Sequence, residues 1–126
     1  MNADAKFISA LGAICAFLAV ALGAFGAHAL RERLAPDMLA VYRTAVEYQF
    51  WHALGLIAVG IILQFSPETQ LLKWSGWTML AGILLFCGSL YALALTEIRI
   101  LGAITPVGGL CFLAAWALLA VGLLKS

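Results

Sequence analysis

The sequence predicts an all-α integral membrane protein, a single domain over residues 1–126 in which four transmembrane helices form a bundle. Two observations predict this class. Of the 126 residues, 65% are apolar and 10% are charged, whereas an average soluble domain is about 45–50% apolar and about 25% charged. A membrane-spanning helix needs roughly 20 residues, so four spans leave room for loops and five leave almost none.

The first predicted transmembrane helix covers residues 7–30, which are almost entirely apolar, and the polar segment 31–48 follows it. Within that segment, Pro36 and Asp37 are a good helix start, because proline fits the first turn and a carboxylate there suits the positive end of the helix dipole. We therefore expect a short amphipathic helix at the membrane interface between helices one and two, or one that runs straight into helix two.

The other three transmembrane helices are marked by chain breaks and aromatic anchors. Helix two is predicted to end at the proline of Ser66–Pro67. Helix three begins beside Trp74 and Trp77, which suit the membrane–water interface, and Pro106 lies in the first turns of helix four, where its missing N–H costs little. The predicted ranges are 47–65, 71–95 and 101–124.

Small residues recur along the faces of the predicted helices. Glycine, alanine and serine let membrane helices approach closely, and packing drives the association of such helices. The recurrence predicts close packing within the bundle or, alternatively, a face that binds another subunit. The positions are Gly12, Gly23, Gly82, Ser89, Gly108 and Ala115.

Polar residues collect at one end of the predicted bundle. In four antiparallel spans, the loop between helices one and two lies on the same side as the loop between helices three and four. Ionisable groups within a span are costly and are therefore candidates for function. The candidates for ligand binding or proton relay are His28, Arg43, Glu47, Tyr48, Gln49, His52, Tyr91 and Thr105.

The two histidines are expected at similar depth, because His28 ends helix one and His52 lies about one and a half turns below Glu47. His52 is expected to face helix one or helix four, since an imidazole N–H in hydrocarbon would cost several kcal/mol. It should share a polar cluster with Tyr48, and with His28 or Thr105. Its role is a structural hydrogen bond, a proton relay or ligand contact, or haem ligation together with His28.

Three further polar residues have both a structural and a functional interpretation. Arg43 and Glu47 are four residues apart, so we expect an ion pair that neutralises both groups as the chain enters lipid, or a charged gate above His52. Thr105, just before Pro106, is expected to cap helix four. The alternative is that this helix start exposes N–H groups to an anion.

Charge and motifs exclude several classes of function. Seven basic and six acidic residues give a net charge of +1, which rules out a polybasic nucleic-acid binder. The sequence has no phosphate-binding glycine loop, no nucleophile elbow and no paired-histidine zinc motif. The three cysteines lie in apolar runs without a C-x-x-C pair. We therefore expect a protein that is not an enzyme and that has no cofactor and no metal.

Four runs of residues carry a resemblance to a known family. They are GAFGAHAL at 23–30, YQFWHAL at 48–54, GSLY at 88–91 and LGAITPVGG at 101–109. In these runs the chain resembles the YgdD/YwdK-like family of small bacterial inner-membrane proteins, which carry the domain of unknown function 423. The resemblance implies four transmembrane helices in a bacterial plasma membrane, and it implies no activity.

Three classes of function follow from these observations. The first is a scaffold or accessory subunit that self-associates or binds another membrane protein. Such a protein would contact the lipid bilayer and would belong to a homo-oligomer or a larger membrane complex. The second is a small channel or carrier for protons or a solute, using His28, Glu47 and His52. The third is a binder of quinone, lipid or haem at the same pole.

The distribution of basic residues gives the expected orientation in the membrane. The polar end has four basic residues and the other end has three. This excess favours a cytoplasmic location for loop one-two and loop three-four, which join helices one and two and helices three and four. They are Arg31, Arg33, Arg43 and Arg99, against Lys6, Lys73 and Lys125.

Overall fold

Four long helices make up the computed structural model, which describes residues 2–126. The first two spans are α1 (Ala3–Phe25), extended by a π-helical turn at Gly26–Leu30, and α2 (Pro36–Phe65). The third span comprises α3 (Gln70–Gly82), a π-helical turn (Ile83–Cys87) and α4 (Gly88–Thr96). The fourth comprises a 3₁₀ turn (Arg99–Ala103) and α5 (Thr105–Lys125). Each span is long and apolar enough to cross a membrane, which confirms the predicted fold class.

A separate short interfacial helix between the first two spans is not supported, and the structure shows the alternative, a helix that runs straight into helix two. α2 is continuous from Pro36 to Phe65, because neither proline nor glycine interrupts it between Pro36 and Gly55. At 1.5 Å per residue its length is about 45 Å, which exceeds a hydrocarbon layer of roughly 30 Å. The polar segment is therefore the end of the second span that reaches beyond the lipid.

The turn after α4 depends on one residue with unusual backbone geometry. Glu97 has a φ of 56°, in the left-handed region, which a non-glycine residue adopts infrequently. Its N–H donates to the carbonyl oxygen of Leu93 at 2.8 Å, as in the helix-ending motif that a left-handed residue allows. The chain can then turn sharply and return as α5.

The helices pack in a chain of neighbours. α1 packs mainly on α2, α2 packs on the α3–α4 helix, and α5 packs mainly on α3. The α1–α4 and α2–α5 seams are less extensive, so each seam leaves space between its helices. The large buried side chains at the centre include Leu56, Leu63, Leu72 and Met79.

Small residues lie where the helices approach most closely. A Cβ atom added to Gly12 would lie 2.8 Å from the carbonyl oxygen of Ala53 on α2, and one added to Gly108 would collide with the backbone nitrogen of Phe86. Gly88 is different, because nothing lies within 4 Å of an added Cβ. Further close contacts join Gly23 to Val46, Gly82 to Phe112, Ser89 to Thr105, and the Ser75 hydroxyl to the Ala115 carbonyl oxygen.

Ion pairs show which loops share an end of the bundle. Asp37 at the start of α2 lies 3.7 Å from Arg99 before α5, so loops one-two and three-four lie together at one pole. At the opposite end, Asp4 lies 3.6 Å from Lys73. Such solvent-accessible pairs contribute at most about 1 kcal/mol each, so helix packing and not these charges holds the bundle together.

Candidate functional site

Two separate polar clusters occupy the seams of the bundle, and both begin on α2. His52 points towards α5 in one seam, whereas Gln49 points towards α1 and α4 in the other. The two residues are three positions apart, so they lie on neighbouring faces of one helix. The polar pole that the sequence predicted as a single cluster is therefore divided.

His52 is 5% exposed and is held through both ring nitrogens. Nδ1 lies 2.7 Å from the carbonyl oxygen of Tyr48, and Nε2 lies 3.0 Å from the indole Nε1 of Trp116 on α5. A carbonyl oxygen only accepts and an indole N–H only donates, so Nδ1 carries the proton and Nε2 accepts. The structure thus places a neutral His52 against α5. This helix is the fourth span, one of the two neighbours that the sequence predicted for His52.

Aromatic rings surround His52. Phe112 stacks on the imidazole with ring centroids 3.6 Å apart and planes 12° apart, and Tyr48 stacks on Phe86 at 4.6 Å. These rings line a cavity of about 630 Å³, here termed the aromatic cleft. Its lining residues are Tyr48, His52, Phe86, Pro106, Gly109, Leu110, Phe112, Leu113 and Trp116.

The second cluster joins three helices through one amide. The Gln49 Nε2 donates to the carbonyl oxygen of Cys15 on α1 at 2.8 Å. The Tyr91 hydroxyl on α4 donates to Gln49 Oε1 at 2.6 Å. Gln49 is 5% exposed, so both bonds are screened from water. The sequence selected Gln49 and Tyr91 as candidates, and the structure shows them as partners.

Thr105 does not cap the fourth span, so that prediction is wrong. Its hydroxyl lies 2.6 Å from that of Ser89 on α4, because Thr105 is already the first residue of α5 and faces the neighbouring helix. An anion site at this helix start would lose two of its N–H donors. The N–H groups of Val107 and Gly108 already donate to the carbonyl oxygen of Ile104.

The expected proximity of the two histidines is also wrong. α1 pairs antiparallel with α2, with Gly23 opposite Val46, so His28 lies level with the first turns of α2. His52 is about twelve residues further along, or roughly 18 Å. His28 is exposed and belongs to neither cluster. The pair therefore cannot bind one haem iron, and residues 2–126 contain no group of three potential metal ligands.

Arg43 and Glu47 are exposed, and the predicted ion pair between them is not formed within the described chain. On an open helix surface such a pair contributes only about 0.2–0.5 kcal/mol, which is too little to fix both side chains. Glu47 lines a cavity of about 500 Å³ on the outer face, here termed the α1–α2 groove. The other lining residues are Ala19, Val20, Gly23, Ala24, Val46 and Phe50.

Two residues that shape the site were missed at the sequence level. Phe112 and Trp116 are not among the sequence-predicted candidates, since they lie within an apolar run. Their spacing of four places both on one helix face. That spacing was the available signal, because a tryptophan within a span needs an acceptor for its N–H.

The hydrogen bond between His52 and Trp116 gives a testable stability difference. We expect His52→Leu to lower the free energy of unfolding by about 1 kcal/mol, because the Trp116 N–H loses its acceptor. His52→Gln should lose less, because its amide oxygen can accept. Unfolding by denaturant in mild detergent, followed by circular dichroism, measures both changes. A His52→Leu protein as stable as the native one would contradict the expectation.

Comparison with known proteins supports the resemblance seen in the sequence. The family described as "Protein of unknown function (DUF423)" matches residues 22–109. A UPF0382 membrane protein of Staphylococcus haemolyticus is 48% identical over 121 residues, covering 95% of this chain and 97% of the relative. A UPF0382 membrane protein of Staphylococcus saprophyticus is 49% identical, with coverage of 95% and 98%.

A third relative comes from another genus. The UPF0382 membrane protein YwdK of Bacillus subtilis is 47% identical over 120 residues, which cover 95% of this chain and 98% of YwdK. No solved structure matches the chain. The resemblance to YwdK-like proteins is confirmed, and the chain belongs to the DUF423 family of membrane proteins, whose function is unknown.

Proposed function

We propose that the protein is a non-enzymatic membrane scaffold or accessory subunit that associates with a second copy through the outer face of α1 and α2. One observation carries this proposal. Arg43 and Glu47 present opposite charges on one exposed helix face, and neither is paired within the described chain. Such a face is complementary to itself, which is what a two-fold interface requires.

The depth of Glu47 makes an external partner favourable. Glu47 lies eleven residues after Pro36, about 16 Å along α2, so it is near the boundary of the hydrocarbon. A charge at such a depth is costly unless it is paired or hydrated. In a two-fold dimer, Arg43 of one copy would neutralise Glu47 of the other, and the reciprocal pair would form as well.

The shape of the α1–α2 groove suits the same partner. Of its small residues, Ala19 is buried and Gly23 packs on Val46, whereas Ala24 is exposed. A small exposed residue lets a neighbouring membrane helix approach closely. Val20 at the edge of the groove is 63% exposed and Phe50 is 37% exposed, so apolar side chains are available for packing. Most other helix faces with small residues pack against a neighbouring helix inside the bundle, whereas this groove is open.

The channel hypothesis receives no such support. It depended on His28, Glu47 and His52 acting together, and these residues lie on different faces and at different depths. His52 has both nitrogens bonded within the protein.

We further propose a bacterial plasma membrane with loops one-two and three-four in the cytoplasm. The bacterial relatives and the four arginines at that pole support this placement.

Charge reversal tests the proposed dimer. We expect the native protein to be a dimer in liposomes by single-molecule subunit counting, and Arg43→Glu or Glu47→Arg to weaken the dimer at least tenfold, because like charges then meet. The double reversal should restore it. Glu32→Arg, an exposed charge change in the loop at the same pole, is the matched control and should have no effect.

Mixing the two single variants separates charge pairing from misfolding. Arg43→Glu carries two acidic residues at this face and Glu47→Arg carries two basic ones, so together they should form heterodimers although each fails alone. A native protein that is monomeric at every density, or a dimer that the reversals leave unchanged, would refute the proposal.

A further inference from the structure

We infer that the aromatic cleft binds a neutral, lipid-soluble molecule with a flat ring that bears carbonyl oxygens, the chemistry of a quinone. The inference is independent of the proposed dimer, because the cleft lies in the α2–α5 seam and not on the α1–α2 face. Its volume of about 630 Å³ lies within the roughly 300–1,000 Å³ of ligand pockets.

The opening of the cleft determines where a ligand comes from. Leu110 and Leu113 line the cleft and are 67% and 69% exposed, on a span that is long and apolar enough to cross a membrane. The opening therefore faces the hydrocarbon of the bilayer. A ligand would enter sideways from lipid, with any long apolar tail left among the acyl chains.

The walls of the cleft suit a flat ring. His52 and Phe112 are almost parallel, with planes 12° apart, and Tyr48 is within 16° of His52 and 28° of Phe112. Aromatic rings prefer offset-stacked partners, with centroids about 4.5–7 Å apart. His52 and Phe112 stack on each other and are only 5% and 4% exposed, so they fix the orientation of the stack. The partly exposed Tyr48 ring and the exposed Trp116 ring form the surface on which another flat ring can stack.

The polar groups of the cleft restrict the ligand further. The Tyr48 hydroxyl has no hydrogen-bond partner among residues 2–126, whereas the Trp116 N–H is already donated to His52. Tyr48 is thus the hydroxyl donor available to a ligand, and a carbonyl oxygen is a suitable acceptor. None of the described residues that line the cleft is charged, so an anionic or cationic head group would lack a counter-charge. His52, with both nitrogens occupied, acts as a positioning residue for Trp116.

Gly109 allows the cleft to be filled without repacking the bundle. A Cβ added there would have its nearest neighbour, a Phe86 ring carbon, at 3.9 Å, which is an ordinary contact distance. Gly109→Leu therefore places a side chain in the ligand space. Gly88→Leu is the matched control, since it makes the same change on another surface where nothing lies within 4 Å.

Equilibrium binding of radiolabelled decylubiquinone to the protein in phosphatidylcholine nanodiscs tests the inference. We expect saturable binding that Gly109→Leu abolishes and that Gly88→Leu leaves unchanged. Tyr48→Phe should weaken binding about tenfold, the equivalent of one hydrogen bond of about 1.4 kcal/mol. Decylbenzene, which has the ring and tail without carbonyl oxygens, should compete poorly.

Three results would overturn the inference. They are partition without saturation, binding that survives Gly109→Leu, and equal competition by decylbenzene, which would point to a site for acyl chains. Thermal unfolding of each variant shows whether a loss of binding reflects a loss of fold. Subunit counting should give the same number of subunits for Gly109→Leu as for the native protein. A loss of ligand binding is thereby distinguished from a loss of dimerisation.

Discussion

Gly108→Leu is expected to lower the free energy of unfolding by about 3 kcal/mol or more, because it forces α5 away from the third span. The Cβ of any residue at position 108 would overlap the backbone nitrogen of Phe86 and lie 2.7 Å from its Cα. A flexible side chain can rotate away from a new methyl group, but a helix backbone cannot. The helices must therefore separate, and the contacts around Gly82 and Phe112 are weakened with them.

Gly88→Leu is the matched control for this prediction. Both changes replace a helical glycine with leucine, so the gain in helix propensity is similar, but nothing lies within 4 Å of an added Cβ at Gly88. We expect Gly88→Leu to be close to the native protein in stability. Size-exclusion chromatography and denaturant unfolding in the same detergent give the comparison. Equal stability of the two variants would show that the contact between α5 and the π-helical turn of the third span is not close.

The sequence predicted the spans well, because their cause is local. Transfer of apolar side chains into lipid depends on composition over about 20 residues, so the four spans and the break at Ser66–Pro67 could be located without any knowledge of packing. The small residues Gly108 and Ala115, which are seven residues apart, similarly predicted a packing face on the fourth helix. Gly108 and Ala115 lie against the third span.

Features that depend on pairing between helices were less predictable. The depth of His28 relative to His52 is set by the register in which α1 meets α2, and no single span contains that information. The same holds for His52 and Trp116, which are 64 residues apart in the chain. The start of the second span is a different case, because the sequence allowed either a separate interfacial helix or one that continues into helix two. Polarity marked where the chain leaves lipid, but the backbone continues as a helix beyond that point.

The hydrogen bonds of Gln49 give the second large stability effect. We expect Gln49→Leu to lower the free energy of unfolding by about 2 kcal/mol, since it removes two interhelical hydrogen bonds and leaves the Tyr91 hydroxyl without a partner. The residue joins α1, α2 and α4, so its loss affects the whole α1–α4 seam. Denaturant unfolding in mild detergent measures the change.

A double-mutant cycle with Tyr91→Phe tests whether the two side chains act as a pair. Tyr91→Phe alone removes the bond to Gln49 Oε1 but leaves the amide's bond to Cys15, so about half of the loss is expected. In Gln49→Leu, the Tyr91 hydroxyl is left without its acceptor in an apolar seam, and adding Tyr91→Phe removes that unsatisfied group. The double variant should therefore be more stable than Gln49→Leu alone, because replacing both partners of a buried hydrogen bond costs less than replacing one. If the two losses add instead, Tyr91 and Gln49 stabilise the bundle independently, and the network that joins the three helices does not act as a unit.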